Sequence, residues 1–379
     1  MDPTPDSADS VTLFLCGDVM TGRGIDQILP HPNNPELHEG YLVSALDYLQ
    51  LAEQASGPIP RPVDFAYIWG DALAELERVA PAVRIINLET SVTRSETWQP
   101  KNINYRMHPD NIPCITAAGI DCCVLANNHV LDFGEAGLAE TLDTLQRAGL
   151  HVAGAGHNRD EASAPAVLAL PGGGRVLVFA FGTESSGISR DWAATARMSG
   201  INRLDDLSER TVQQIAAHIE SVQRPGDIVV ASIHWGENFS YAIPREQQRF
   251  AHALIDAAAV TVVHGHSSHH VKGIEIYRER PILYGCGDFL NDYEGISGYD
   301  AYRGDLGLMY FATVERATGR LVRFGMTPTR IRRFQVQRTE AGEAHWLWQV
   351  LKRESAPFGV DVVLRDDHRL QLRWGAAAG

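Results

Sequence analysis

No apolar run in the sequence is long enough to span a bilayer, and the first residues, MDPTPDSADS, lack the basic and apolar regions of an export signal. A soluble, cytoplasmic protein without a membrane partner is therefore expected, with residues 1–10 as a disordered tail. Cysteine is scarce. Cys16, Cys114, Cys122, Cys123 and Cys286 are odd in number, show no C-x-x-C spacing and, except for Cys114, lie in apolar segments. That pattern argues against a disulfide scaffold and a cysteine-rich metal site, and for buried thiols in a reducing compartment. Basic blocks are missing too: 33 Lys and Arg stand against 47 Asp and Glu, a formal net charge of -14, which makes nucleic acid an unfavourable partner. Neither an internal repeat nor a low-complexity linker is visible.

What is present is a globular composition, 379 residues with 44% hydrophobic, enough to bury a sizeable core. Short apolar runs ending in polar clusters recur: VTLFLCGD, VRIINLET, IDCCVLANNH, VLVFAFGTE, DIVVASIHWGE, VTVVHGH and PILYGCGDF. Their length and β-branched content suit strands buried on both faces. Helical patterns such as GDALAELERVA and REQQRFAHALIDAAA lie between several of them, so the order predicts an α/β fold on a largely parallel sheet. Two regions depart from this rhythm. Residues 30–64 hold many prolines around one amphipathic helix and read as an excursion, a lid at the site entrance or a surface insertion. Residues 326–379 read as a C-terminal strand, helix and strand-pair appendage on a main domain of residues 11–325.

In parallel α/β sheets ligands bind beyond the carboxyl ends of the strands. Those ends carry Asp18, Glu89, Asn128, His129, His234, His264, His266 and Asp288. Taken singly, CGD reads as a capping turn and NNH as an asparagine pair opening a helix. His264 and His266, two residues apart near a strand end, point the same way and can reach one centre. Carboxylate, carboxamide and imidazole groups gathered at successive strand ends suit a hard-to-borderline divalent cation.

The order GDVMTGRG, NLETSVT, NYRMHP, LANNHVLDFG, HWGEN, HGHSSHH, YGCGDFLND resembles the CapA branch of the calcineurin-like metallophosphoesterase superfamily, named for poly-γ-glutamate capsule proteins, over residues 11–325. That resemblance implies a four-layer αββα sandwich with a metal centre where loops of two sheets meet. It makes Asp18, Glu89, Asn128, His234, His264 and His266 the candidate ligands and His129 the match for the catalytic histidine.

The departures from the pattern carry information as well. Where the phosphatases have D-x-H, this chain has Met20, a poor ligand for a hard cation, and GNF appears as GDF, with Asp288 and then Asp292. One metal position is weakened, so a single divalent ion, Ca²⁺ or Mn²⁺, with no organic cofactor, is the expectation. Carboxylate–imidazole pairs beside a metal suit proton transfer on both faces of a substrate. Within the CapA-like branch the chain resembles lasso-peptide epimerases, which implies inversion of a C-terminal residue in a ribosomal precursor peptide. In that reading His129 pairs with Asp18 or Asp132, and His266 with Asp288, as proton carriers. Glu89, Asn128, His234 and His264 hold the metal, although Asp18 could equally be a ligand. Arg106, Tyr105, Trp235 and His269 would then contact substrate. Phosphate-ester hydrolysis and a role in poly-γ-glutamate or capsule synthesis are the alternatives. The lack of a membrane segment weighs against the capsule role, because CapA proteins usually carry one.

Overall fold

A computed structural model describes residues 10–298 and 300–375. The expected tail lies outside the described residues except for Ser10, which opens strand β1 (Ser10–Val19). Along β1 the side chains alternate: Val11, Leu13 and Leu15 enter one apolar core, while Phe14, Cys16 and Val19 enter another on the opposite face. A strand buried on both faces needs this near-continuous apolar run, and each Val, Leu or Phe removed from water there contributes about 1.5–3 kcal/mol.

β1 pairs in parallel with β2 (Val83–Leu88), which continues to β3 (Cys122–Val124) and β4 (His151–Ala153). The second sheet has a parallel centre of β6 (Arg175–Gly182), β7 (Ile228–His234), β8 (Val262–His266) and β10 (Arg280–Leu283). Its antiparallel edges are β5 (Ala166–Ala169) and β9 (Ile274–Tyr277). Val11, Leu13 and Leu15 of the first sheet share a core with Val176, Val178, Val230 and Val262 of the second, so the sheets face each other.

Helices cover the outer faces. α1 (Ala45–Ser56), α2 (Asp71–Val79) and α3 (Gly134–Arg147) pack on the first sheet through Leu49, Leu76 and Leu138. α4 (Glu209–Val222) and α5 (Arg245–Ala258) pack on the second. Ser208 caps α4, and its buried Val212, Ile215 and Ile219 recur at helical spacing, which is why this polar segment forms an amphipathic helix. The result is the four-layer αββα sandwich of the calcineurin-like fold.

Beyond the loops, β11 (Asp288–Leu290) lies parallel to β1, and β12 (Leu306–Glu315) lies antiparallel on the same side of the sheet. β13 (Leu321–Arg332) pairs with β12, and the segment expected as an appendage begins inside it. That segment adds β14 (Gln335–Arg338), α6 (Ala341–Ser355), β15 (Asp361–Leu364) and β16 (Leu370–Arg373), with β16 hydrogen-bonded to β13. Residues 30–64 run irregularly into α1, where Ser44 and Asp47 form a capping box. Among the described residues no helix is long and apolar enough to cross a membrane.

Candidate metal centre

The carboxyl ends of β1, β2, β3, β7 and β8 meet at one point. Glycine makes the closest approach possible. A Cβ on Gly17 would lie 1.6 Å from the Gly287 carbonyl oxygen, and Gly287 has φ +74°. The Asp18 amide donates to that carbonyl at 2.9 Å, which sets Asp18 and Asp288 side by side across parallel strands.

Asp18, Glu89, His234, His264, His266 and Asp288 are all 0–1% exposed. Asp18, His234 and His266 converge as one potential ligand group, and Asp18, His269 and Asp288 as a second. In the first, the Nδ1 atoms of His234 and His266 are 2.7 Å apart, and His266 Nδ1 is 3.9 Å from Asp18 Oδ1. Asn128 Oδ1 lies 3.0 Å from His234 Nε2. Glu89 Oε1 is 3.8 Å from both His234 Nε2 and His129 Nε2, and it has no hydrogen-bond partner. A buried carboxylate oxygen left without a donor is costly unless a cation compensates it.

Electrostatics agree with a metal-binding donor set. Burial, then repulsion from Asp288, raises the Asp18 carboxyl to about 6; burial and Asp18 raise Glu89. Burial lowers His234 and His266 well below the ordinary imidazole value, so both are neutral with free lone pairs, the state in which imidazole ligates. The donors therefore fit a divalent cation.

His129 stands beside this group. Its Nδ1 is 2.6 Å from Asp132 Oδ2, which settles its partner as Asp132 rather than Asp18. Asp132 is held in turn by the Tyr105 amide at 2.6 Å and by Lys101 Nζ at 2.5 Å. Burial lowers His129 to about 4 despite Asp132. His269 behaves oppositely: burial alone would lower it, but Asp288 at 2.8 Å and Asp18 beyond raise it to about 9.

Several expected placements are corrected. Asp288 pairs with His269, not His266, because His266 faces the neighbouring strand β7, where it meets His234 and Ser232 Oγ, the latter at 2.9 Å. His264 has no nitrogen free for a metal. Its Nε2 donates to the Cys16 carbonyl at 2.7 Å and its Nδ1 lies 3.1 Å from Ser232 Oγ, so it ties one sheet to the other. Arg106 turns away from the site, donating to the Ser95 carbonyl at 2.6 Å and covering the Phe133 ring. Trp235 donates to the Tyr284 carbonyl at 3.0 Å and packs on Phe250 in the second sheet's outer core. Tyr105 and His269 do line the cleft above the metal group.

That cleft, about 1060 Å³, is also lined by His129, Lys101, Tyr293 and, at its floor, Arg23. Lys101 and Tyr293 escaped the sequence reading because neither lies at the end of a β-strand. Arg23 is fully enclosed, paired with Asp292 at 2.5 Å and Glu39 at 3.0 Å and stacked on Tyr48 and Tyr105. It fastens the 30–64 excursion to the floor of the cleft.

The family model described as bacterial capsule synthesis protein PGA_cap matches residues 12–293. A probable polyglutamine synthesis accessory protein of Mycobacterium tuberculosis (strain ATCC 25618 / H37Rv) is 46% identical over 366 residues, covering 96% of each chain. The PGA biosynthesis protein CapA of Bacillus subtilis (strain 168) is 27% identical, over 85% of this chain and 72% of that one. The capsule biosynthesis protein CapA of Bacillus anthracis is 22% identical, over 75% and 60%. These relatives overturn the expected epimerase, an isomerase acting on a ribosomal precursor peptide, and favour the polymer and capsule alternative. The motifs behind the epimerase expectation are strand-end residues of a shared fold, so they do not separate one branch from another.

Proposed function

The chain belongs to the bacterial capsule synthesis protein PGA_cap family, and from this we propose that it is a metal-dependent enzyme accessory to synthesis of a glutamate- or glutamine-based polymer. The carrying observation is a cleft of about 1060 Å³ that has His129, held by Asp132, and His269, held by Asp288, on its walls beside the buried ligand group. Asp18, His234 and His266, with Asn128 and Glu89 adjacent, would hold the cation. Two imidazoles in that set favour Mn²⁺ over Ca²⁺, which prefers oxygen throughout. When bound, such a cation polarises a substrate oxygen as a Lewis acid.

The chain's own groups do the rest. Burial keeps the His129 imidazole neutral near pH 7, and Asp132 fixes it through Nδ1, so that it presents Nε2 as a base toward a water or substrate proton. His269, hydrogen-bonded to Asp288 at 2.8 Å, stands where it can hand a proton to a departing amine. Hydrolysis of a chain amide is the reaction class this pairing suits. Poly-γ-glutamate incubated with Mn²⁺-loaded protein is expected to shorten on a gel, and His129→Ala is expected to abolish shortening. The proposal fails if the polymer is neither bound nor shortened and both His129→Ala and Asp18→Asn restore polymer yield in a deletion strain.

A further inference from the structure

We propose that the Tyr293 hydroxyl is a catalytic hydrogen-bond donor, placed to meet the substrate carbonyl oxygen as charge develops on it. The inference rests on the amide hydrolysis proposed above and adds a residue to it. Tyr293 lines the cleft together with His129 and His269, its ring centroid 6.2 Å from that of His269. On the other side Tyr105 meets the His129 ring edge-on at 4.5 Å and donates its own hydroxyl to the Tyr293 oxygen at 3.0 Å. Tyr293 therefore stands between the base and the proton donor.

The proton of this hydroxyl has a poor acceptor. It points to Met20 Sδ at 3.6 Å, and a thioether accepts only weakly, whereas a phenol set in a largely buried site ordinarily finds an oxygen or nitrogen. Met20, fully buried where the phosphatase pattern has histidine, supplies neither. The bond accepted from Tyr105 polarises the Tyr293 O–H and strengthens it as a donor. Burial, then the Asp288 carboxylate, holds the phenol well above its ordinary value, so it keeps its proton. The loop after β11 fixes its place: the Tyr293 amide donates to Asn291 Oδ1 at 3.0 Å, and Asn291 Nδ2 donates to Asp288 Oδ2 at 2.8 Å. In the hydrolysis, a water oxygen bonds to the amide carbon while His129 Nε2 takes the water's proton, and the carbonyl π pair moves onto oxygen. Turning from sulfur to that oxygen, the Tyr293 hydroxyl exchanges a weak acceptor for a charged one, so its bond strengthens as the charge forms. The pair then restores the carbonyl as the C–N bond breaks, and the leaving nitrogen takes a proton from His269. His129 releases its proton to solvent and His269 regains one.

The test uses the full chain loaded with Mn²⁺, poly-γ-glutamate as substrate, and a phosphinate isostere of a γ-glutamyl amide as a stable mimic of the charged intermediate. Tyr293→Phe removes the hydroxyl alone, and unchanged Mn²⁺ content and circular dichroism report an intact site and fold. This variant is expected to lower kcat about 100-fold with KM within about threefold, and to weaken phosphinate binding by a similar factor. Met20→Leu removes the sulfur at nearly constant volume and is expected to leave kcat and phosphinate affinity within about twofold of wild type. A Tyr293→Phe variant within about threefold of wild type in both kcat and phosphinate affinity, or one that loses only KM, overturns the role of Tyr293 alone. A wild type that neither shortens the polymer nor binds the phosphinate overturns the hydrolysis reading and this role with it.

Discussion

Replacing Asp292 by Ala removes one partner of an enclosed ion pair and leaves the Arg23 guanidinium, 1% exposed, without its bidentate carboxylate. Breaking a buried pair from one side costs about 3–5 kcal/mol, because the remaining charge stays desolvated. Glu39 still faces Arg23 Nη1 at 3.0 Å, which places the ion-pair loss near the lower end, about 3 kcal/mol. The Gly24 amide also loses its acceptor, Asp292 Oδ2 at 2.9 Å, adding about 1 kcal/mol. Equilibrium unfolding in urea followed by tryptophan fluorescence measures the sum as a lowered midpoint. Protease cleavage within residues 30–44 should accelerate in parallel, since Arg23 anchors that segment through Glu39. Arg23→Met combined with Asp292→Leu and Glu39→Gln removes all three enclosed charges and is expected to recover most of the loss. An Asp292→Ala variant within about 1 kcal/mol of wild type, or a triple variant less stable than Asp292→Ala, would refute this account of the excursion's anchor.

Glu75 sits among Arg78, Arg338 and Arg369, bonding Arg369 at 2.5 Å; burial alone would raise its carboxyl, but Arg369 and then Arg78 hold it at about 2. Its folded value is depressed, so its contribution is present above about pH 4.5 and lost as pH falls through 2. After discounting for solvent screening this is on the order of 2 kcal/mol. Glu75→Gln should lower Tm at pH 7 and flatten the acid limb between pH 4.5 and 2; an unchanged acid limb contradicts the assignment. His264→Gln should cost about 2–3 kcal/mol by weakening the tie to the Cys16 carbonyl, yet leave Mn²⁺ content intact, and loss of metal would return His264 to the ligand set. Gly17→Ala should prevent soluble folding, since its Cβ has no room beside Gly287; a Tm within a few degrees of wild type would disprove that close approach. Trp235→Phe should leave polymer binding unchanged within twofold, and a large affinity loss would place Trp235 in the cleft after all.

Local pattern along the chain specifies the layers and where the chemistry gathers. Apolar runs of strand length alternating with amphipathic helices leave few ways to bury both faces of β1, and polar residues clustered after those runs must collect at the strands' carboxyl ends. Asp18, Glu89, Asn128, His129, His234 and His266 were legible on that basis. Pairing was not. Which imidazole meets Asp288 depends on the path of residues 267–270, where Ser267 and His269 take positive φ and swing His269 toward β11. His264 illustrates the same limit, since a ligand-like position became an inter-sheet tie once the Cys16 carbonyl of a strand 248 residues away arrived within hydrogen-bond reach. Lys101 and Tyr293 lie off the strand ends, so periodicity carried no trace of them. Local pattern specifies which face of an element is buried, because burial is set by alternation along one chain segment. Only tertiary structure decides which polar groups face each other, because hydrogen bonds and ion pairs act over about 3–4 Å between segments whose relative placement no local pattern encodes.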